Sequence, residues 1–261
     1  MTVSERLIPS PQGDHTLIVI PTYNEMETLP DILTRVWAHV PHAHILIVDD
    51  SSPDGTGEWV DSRREDEERL HVLHRPAKSG LATAYVDGMG WGIEQGYPFI
   101  LQMDADGSHR PWDLPKLLAR MAGPDKPDLV IGSRWVPGGA INGWSSKRVV
   151  LSKAGNYYVR FCLGTPVRDA TAGLRLHRAS FLRDHEVLGR VATTGFGFQV
   201  EMTELERSLG AVIAEVPITF DERMAGESKL DSSIFVEELV MVTKGGLSRL
   251  AQAARRILPK R

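Results

Sequence analysis

Apolar residues along this chain come in short β-branched runs, and each run ends in a polar loop. Leu17-Ile18-Val19-Ile20 runs into Pro21-Thr22-Tyr23-Asn24-Glu25, and His44-Ile45-Leu46-Ile47-Val48 runs into Asp49-Asp50-Ser51-Ser52-Pro53-Asp54-Gly55-Thr56. Tyr97-Pro98-Phe99-Ile100-Leu101-Gln102 runs into Met103-Asp104-Ala105-Asp106-Gly107-Ser108-His109. Runs with no polar alternation suit strands covered on both faces, as in a parallel sheet. Helical spacing follows from Glu27 to His39, from about Thr56 and from about Leu81. The pattern predicts strands near Thr16 to Pro21, Ile45 to Asp49, Leu70 to His74, Phe99 to Met103, Leu129 to Ile131 and Ala211 to Pro217, with helices in most of the gaps. This is an α/β architecture, a mostly parallel central sheet flanked by helices in one domain. In such a sheet, loops at the C-terminal ends of the strands line the ligand crevice.

Composition sets limits on that picture. With 261 residues, 42% hydrophobic and 25% charged, the chain can bury one large core. A formal net charge of −4, with no basic patch interleaved with aromatics, argues against nucleic acid as a partner. The single cysteine, Cys162, excludes an internal disulfide and a cysteine-based metal cluster, and reads as a core residue. Residues 1–15 form an N-terminal extension without the apolar region of a secretory signal, and no run of about 18 apolar residues occurs. The expected location is the cytoplasm. The charged stretch Asp61 to Arg69 reads as the solvated end of the helix after Thr56.

The candidate chemistry sits in the loops. Asp104 and Asp106, two residues apart just beyond a buried strand, can place one carboxylate on a sugar or ribose and the other on a hard divalent cation. An ordinary solvated turn would use the same residue types. Lys78 and Gly80 offer a cation and a turn that lets backbone pass close to a ligand.

Together these segments resemble the GT-A glycosyltransferases, specifically the inverting dolichol-phosphate and polyprenol-phosphate mannose synthases of the type without C-terminal transmembrane helices. The resemblance extends over nearly the whole chain, through Gly132-Ser133-Arg134, Gly138-Gly139, Asp169-Ala170-Thr171-Ala172-Gly173-Leu174-Arg175, Gly197-Phe198-Gln199-Val200-Glu201-Met202, Glu215-Val216-Pro217-Ile218 and Arg223-Met224-Ala225-Gly226-Glu227-Ser228-Lys229-Leu230. It implies a catalytic domain over residues 16–232 and Mg²⁺ or Mn²⁺ as cofactor. The implied donor site comprises Pro21, Tyr23, Glu25, Asp50, Lys78, Asp104, Ala105, Asp106, Arg223 and Lys229, the last two in a loop expected to close over the donor. Asp106 and Ser108 are the implied metal ligands, with Ser108 standing where some family members have glutamine, and His109 reads as structural. Arg134, Arg148 and Ser152 are implied at the acceptor phosphate, and Asp104, Asp106, Arg134 and Arg148 form the implied catalytic set. A phosphate acceptor needs no general base, so arginines that fork onto phosphate oxygens have mainly to screen and position it.

The implied reaction is transfer of mannose from GDP-mannose to a polyprenyl phosphate by a single in-line displacement with inversion. A UDP-glucose-dependent polyprenyl-phosphate glucosyltransferase keeps the same chemistry with another donor, and a non-catalytic nucleotide-binding module at a membrane is the third reading. Val149 to Leu163 reads as a core helix or as a hydrophobic shelf, core being the safer choice. Residues 233–261 read as a basic amphipathic helical segment able to lie on anionic lipid. Peripheral association with the cytoplasmic face of a membrane is therefore expected, with room for an integral membrane partner protein.

Overall fold

The computed structural model describes residues 7–193, 195, 197–222 and 243. A central sheet is built from β1 (Thr16–Thr22), β2 (His44–Asp49), β3 (Leu70–His74), β4 (Phe99–Gln102), β5 (Leu129–Ser133), β7 (Arg175–Arg178) and β8 (Ile213–Pro217), while β6 (Ala140–Ile141) and β9 (Thr219–Phe220) pair separately. The order across the sheet is β3-β2-β1-β4-β7-β5-β8. All neighbours run parallel except β7, which is antiparallel to both β4 and β5.

Helices cover both faces: α1 (Leu29–His39), α2 (Thr56–Arg64), α3 (Leu81–Glu94), α4 (Leu114–Met121), α5 (Ser146–Leu163), α6 (Ala179–Asp184) and α7 (Phe198–Ser208). The two-residue period of β1 divides the core. Ile18 and Ile20 pack with Leu29, Leu33 and Val36 of α1 and Leu117 and Met121 of α4. Leu17 and Val19 pack with Tyr85 and Met89 of α3, Leu182 of α6 and Phe198 and Met202 of α7. Gly88 is required where α3 crosses β1 and β2, since a Cβ there would lie 2.5 Å from Val19 Cγ1.

The expected strands are present, except that the last begins at Ile213 rather than Ala211. The sequence reading lacked β7 and the β6–β9 pair. Strand β7 reads Arg-Leu-His-Arg, and its buried Arg175 and His177 disguise it as a loop. The fold accommodates Arg175 through hydrogen bonds to the carbonyls of Ala170 and Ala172 and to Thr203 Oγ1, and burial pulls its pKa down to about 10 against the opposing pull of Glu206 and Asp169. Because β7 is antiparallel, its N-terminal end lies beside Gln102 and Ile131, so the 169–174 segment reaches the same sheet edge as the loops after β1, β2 and β4.

Helix α5 corrects the core reading of Val149 to Leu163. Ser145 caps its start, accepting from the Arg148 amide, and Gly164 ends it at φ +62°. Asn156, Val159 and Leu163 face inward, whereas Val150, Leu151, Tyr157 and Phe161 are exposed. Among the described residues no helix is long and apolar enough to cross a membrane.

Candidate active site

The strand order reverses direction between β1 and β4, and the loops after β1, β2 and β4 gather at that switch point. The β2 loop is held from within. Asp49 accepts from Thr22 Oγ1 (2.9 Å) and from the Ser52 amide and hydroxyl (3.0 and 2.5 Å). Asp54 accepts from Thr56 and from the Met26 amide, joining the β1 and β2 loops. Burial opposes the charge on Asp54, but these hydrogen bonds outweigh it and hold its pKa below the ordinary carboxylate value.

Asp50, a predicted donor residue, is buried and pairs with Arg75 (2.5 Å), which also reaches Asp87 and Thr83. Tyr23 and Lys78, distant in sequence, meet with Lys78 Nζ 3.6 Å from the Tyr23 ring centroid. Gly80, at φ +100°, makes the turn expected of it before α3. Glu25 receives Thr28 Oγ1 on its carboxylate at 3.1 Å, and the same hydroxyl lies 3.0 Å from the Ala105 carbonyl. Pro21 is the last residue but one of β1, beside Val48.

The β4 loop presents two carboxylates with different surroundings. Asp104 Oδ1 accepts from the buried Tyr85 hydroxyl at 2.7 Å. Burial first, then the Asp104 charge, pushes the Tyr85 phenol well above its usual pKa, so it stays a donor. Asp106 Oδ1 accepts from the amide (3.0 Å) and hydroxyl (2.5 Å) of Ser108, which is fully buried. Ser108 thus orients Asp106, and any ligation of a cation by its oxygen comes on top of that duty. His109 is buried, accepts from the Asp104 amide at Nδ1 and packs edge-on against Phe220, a structural setting. The donor set suits a hard divalent cation, since carboxylate oxygens are its preferred ligands. Among the described residues no cage of three or more His, Cys, Asp or Glu forms, so Asp106 would hold such an ion jointly with ligand oxygens.

Arg134, at the end of β5, makes a bidentate pair with Asp169 (2.7 and 2.6 Å), while its amide also donates to Asp169 and Nη2 also reaches Thr171 Oγ1. Its Nη1 group, a further N–H donor, has no partner among the described residues. The 169–174 loop is fixed on its other side by Asn156 of α5, which receives the Ala170 amide and donates to Thr171. Arg148, on the first turn of α5, lies 4.0 Å over Trp144, and the Arg134 guanidinium is 5.5 Å from the same ring. Phe220 joins this group to the Asp104 loop, contacting Trp144, Arg134 and His109. Gly173 closes the gap: a Cβ there would stand 3.1 Å from Asp104 Oδ2. Ser152 follows Arg148 by one turn of α5.

The structure therefore gathers Pro21, Tyr23, Glu25, Asp50, Lys78, Asp104, Ala105, Asp106, Ser108, Arg134, Arg148 and Ser152 at the C-terminal edge of the sheet and the adjoining start of α5. Arg223 and Lys229, and the basic segment 233–261 apart from Thr243, lie outside the described residues. The described chain reaches Glu222, whose carboxylate is 3.8 Å from Arg148. Just before it, Asp221 donates its amide to the Ser108 carbonyl and pairs with Arg110. Sequence reasoning missed Thr28, Arg75, Tyr85, Trp144 and the partnership of Asp169 with Arg134. Only Asp169 carried a signal, being the first residue of a motif already noted.

A profile described as Glycosyl transferase family 2 matches residues 17–185. The chain is 49% identical over 232 residues to an undecaprenyl-phosphate mannosyltransferase of Micrococcus luteus, covering 89% of this chain and 94% of that one. It is 45% identical over 245 residues to a polyprenol monophosphomannose synthase of Mycolicibacterium smegmatis, covering 93% and 91%. Among solved structures, it resembles the Pyrobaculum calidifontis mannosyltransferase PcManGT in complex with GDP-Man and Mn²⁺, at TM-score 0.54, 15% identity and coverage of 96% and 78%. It also resembles glucosyl-3-phosphoglycerate synthase of Mycobacterium tuberculosis with Mn²⁺ and UDP, at TM-score 0.58, 17% identity and coverage of 95% and 82%. These two likenesses establish the fold, the GT-A architecture expected from the sequence. With a profile match over more than half the chain and relatives near half identity along almost all of it, the chain belongs to glycosyl transferase family 2 and is a glycosyltransferase.

Proposed function

We propose that this protein transfers mannose from GDP-mannose to a polyprenyl phosphate with inversion, at the surface of a membrane on its cytoplasmic side, using Mg²⁺ or Mn²⁺. The observation that carries the reading is the pair Arg134 and Arg148 on one Trp144 ring, joined through Phe220 to the loop of Asp104 and Asp106. Two guanidinium groups beside a carboxylate loop suit a reaction in which two anions, acceptor phosphate and nucleotide diphosphate, must approach one another. The names of the two near-half-identical relatives point to the same donor sugar and acceptor class.

The nucleoside end of the donor falls to Pro21, Tyr23, Glu25, Asp50 and Lys78, with Arg75 holding the Asp50 carboxylate in place. Asp104, steadied by Tyr85, serves the sugar end, and Asp106, steadied by Ser108, serves the cation. When bound, the cation neutralises the diphosphate leaving group. Arg134 turns Nη1 to the acceptor phosphate while Asp169 fixes its plane, and Arg148 with Ser152 completes the cradle. The acceptor oxygen is already anionic, so no residue has to take its proton. Arg223 and Lys229 engage the diphosphate from the segment that follows Glu222.

Transfer of labelled sugar from GDP-mannose, UDP-glucose and UDP-N-acetylglucosamine to a polyprenyl phosphate, with Mg²⁺, Mn²⁺ or EDTA, tests the reading. It requires a mannolipid from GDP-mannose that disappears with EDTA. A glucolipid from UDP-glucose in its place refutes the donor, and undiminished transfer in EDTA refutes the cation.

A further inference from the structure

Beyond the acceptor cradle, α5 borders a second basic site. A cavity of about 300 Å³ is lined by Trp135, Lys153, Asn156, Tyr157, Arg160 and Arg168. Three of these six residues are cations and none is an acid. Lys153 Nζ lies 5.0 Å from the Trp135 ring centroid and the Arg160 guanidinium 5.9 Å from that of Tyr157. The Arg160 Nε group is buried without a hydrogen-bond partner among the described residues. Elsewhere arginines at the site edge are neutralised, Arg134 by Asp169, Arg75 by Asp50 and Arg110 by Asp221, whereas Lys153, Arg160 and Arg168 pair with no carboxylate among the described residues. Like charges that share a cavity repel unless an anion lies between them.

The same helix carries an apolar ridge. Val150, Tyr157 and Phe161 are 66%, 67% and 85% exposed, and their spacing puts them on one stripe opposite the inward Asn156, Val159 and Leu163. Tyr157 belongs to both ridge and cavity, so an anion held between Lys153 and Arg160 lies alongside exposed hydrocarbon. Cations beside an outward apolar stripe form the pattern of a helix lying in a membrane interface.

We propose that this cavity binds the phosphate of an anionic membrane phospholipid, with the lipid chains running along the Val150, Tyr157 and Phe161 ridge, so that α5 docks on the bilayer. Docking through α5 brings Arg148 and Ser152, on the preceding turns, to the membrane surface where a lipid-borne phosphate emerges. The inference rests on the reading of the acceptor as a membrane lipid, and its test needs no sugar transfer.

Co-sedimentation of the full chain with phosphatidylcholine vesicles, with and without 30% phosphatidylglycerol, measures the interaction directly, where each cation near an anionic surface contributes about 1 kcal/mol, or about fivefold in partitioning. Binding to the anionic vesicles is expected to fall about fivefold in Arg160→Gln, roughly 25-fold in Lys153→Gln/Arg160→Gln, and roughly tenfold in Phe161→Ser. Arg160→Lys, which keeps the charge, should retain most of the binding. Melting temperatures of the variants guard against loss through unfolding. Equal binding to neutral and anionic vesicles overturns the proposal, as does anionic binding that the three variants leave untouched. Millimolar inorganic phosphate that saturates the cavity while vesicle binding is unchanged likewise overturns it, by assigning the cavity to a free anion.

Discussion

Replacing Asp169 by asparagine isolates the device that aims Arg134. Asp169 is fully buried and receives the Arg134 Nε and Nη2 groups at 2.7 and 2.6 Å and the Arg134 amide at 2.9 Å. An asparagine keeps one acceptor oxygen and turns an NH₂ group toward a guanidinium that is itself only 8% exposed. One charge-assisted hydrogen bond is lost outright, at about 1.5 to 3 kcal/mol, and the Arg134 charge is left buried without its counterion. Breaking a buried pair from one side costs about 3 to 5 kcal/mol. At roughly 2 to 4 °C per kcal/mol for a chain of this size, the melting temperature should fall by about 6 to 20 °C. Urea unfolding gives the free energy, and a double-mutant cycle with Arg134→Met gives the coupling. In the Arg134→Met background Asp169→Asn should cost at least about 2 kcal/mol less, because the charge it stranded is gone. Transfer to prenyl phosphate should drop more than affinity for the nucleotide donor. A cost below about 1 kcal/mol, or the same cost with and without Arg134, would refute the account of Asp169 as the counterion that orients Arg134.

Gly173→Ala should push the Asp104 carboxylate by a few tenths of an ångström, lowering kcat/KM roughly three- to tenfold with little change in melting temperature, given that a 1 Å misplacement costs about 100-fold; unchanged kinetics would show that the loop yields instead. Gly90→Ala, in α3 with nothing within 4 Å of the new methyl, should stabilise by about 1 kcal/mol in urea unfolding, whereas Gly88→Ala should destabilise through Val19 and Val48. The Arg110 hydrogen bonds hold the Asp221 pKa below that of an unfolded aspartate, so its contribution to stability is complete above about pH 4 and is lost as pH falls through the depressed folded value. Urea midpoints taken from pH 6 downward should therefore decline less steeply in Asp221→Asn than in the wild type.

The placement of the candidate site was legible in the chain because its loops follow apolar runs that can only be buried strands. The Asp104 loop beyond its buried strand and the Gly80 turn before α3 follow local rules of burial and turn. What stayed hidden depended on partners far along the chain. Strand β7 offers no apolar run, since Arg175 is made tolerable only by carbonyls and a threonine from other segments. Arg75 and Tyr85 act through Asp50 and Asp104, and neither pairing has a spacing that sequence can announce. Helix α5 was misjudged for a related reason. Its apolar residues occupy both sides, and only the position of the 169–174 loop, which takes Asn156, decides that Val150 and Phe161 turn outward.

Thr28 has a bearing on how such an enzyme can change its donor. One hydroxyl touches the Glu25 carboxylate in the loop after β1 and the Ala105 carbonyl inside the Asp-Ala-Asp loop. On the donor placement proposed above, the two halves of the nucleotide would be read by loops that share a hinge pin, and a first loop reshaped to admit another base would drag on the loop that carries Asp104 and Asp106. Donor switching by substitutions at Tyr23 or Glu25 alone should be self-defeating, and productive switches should arrive as coordinated changes that include position 28 or 105.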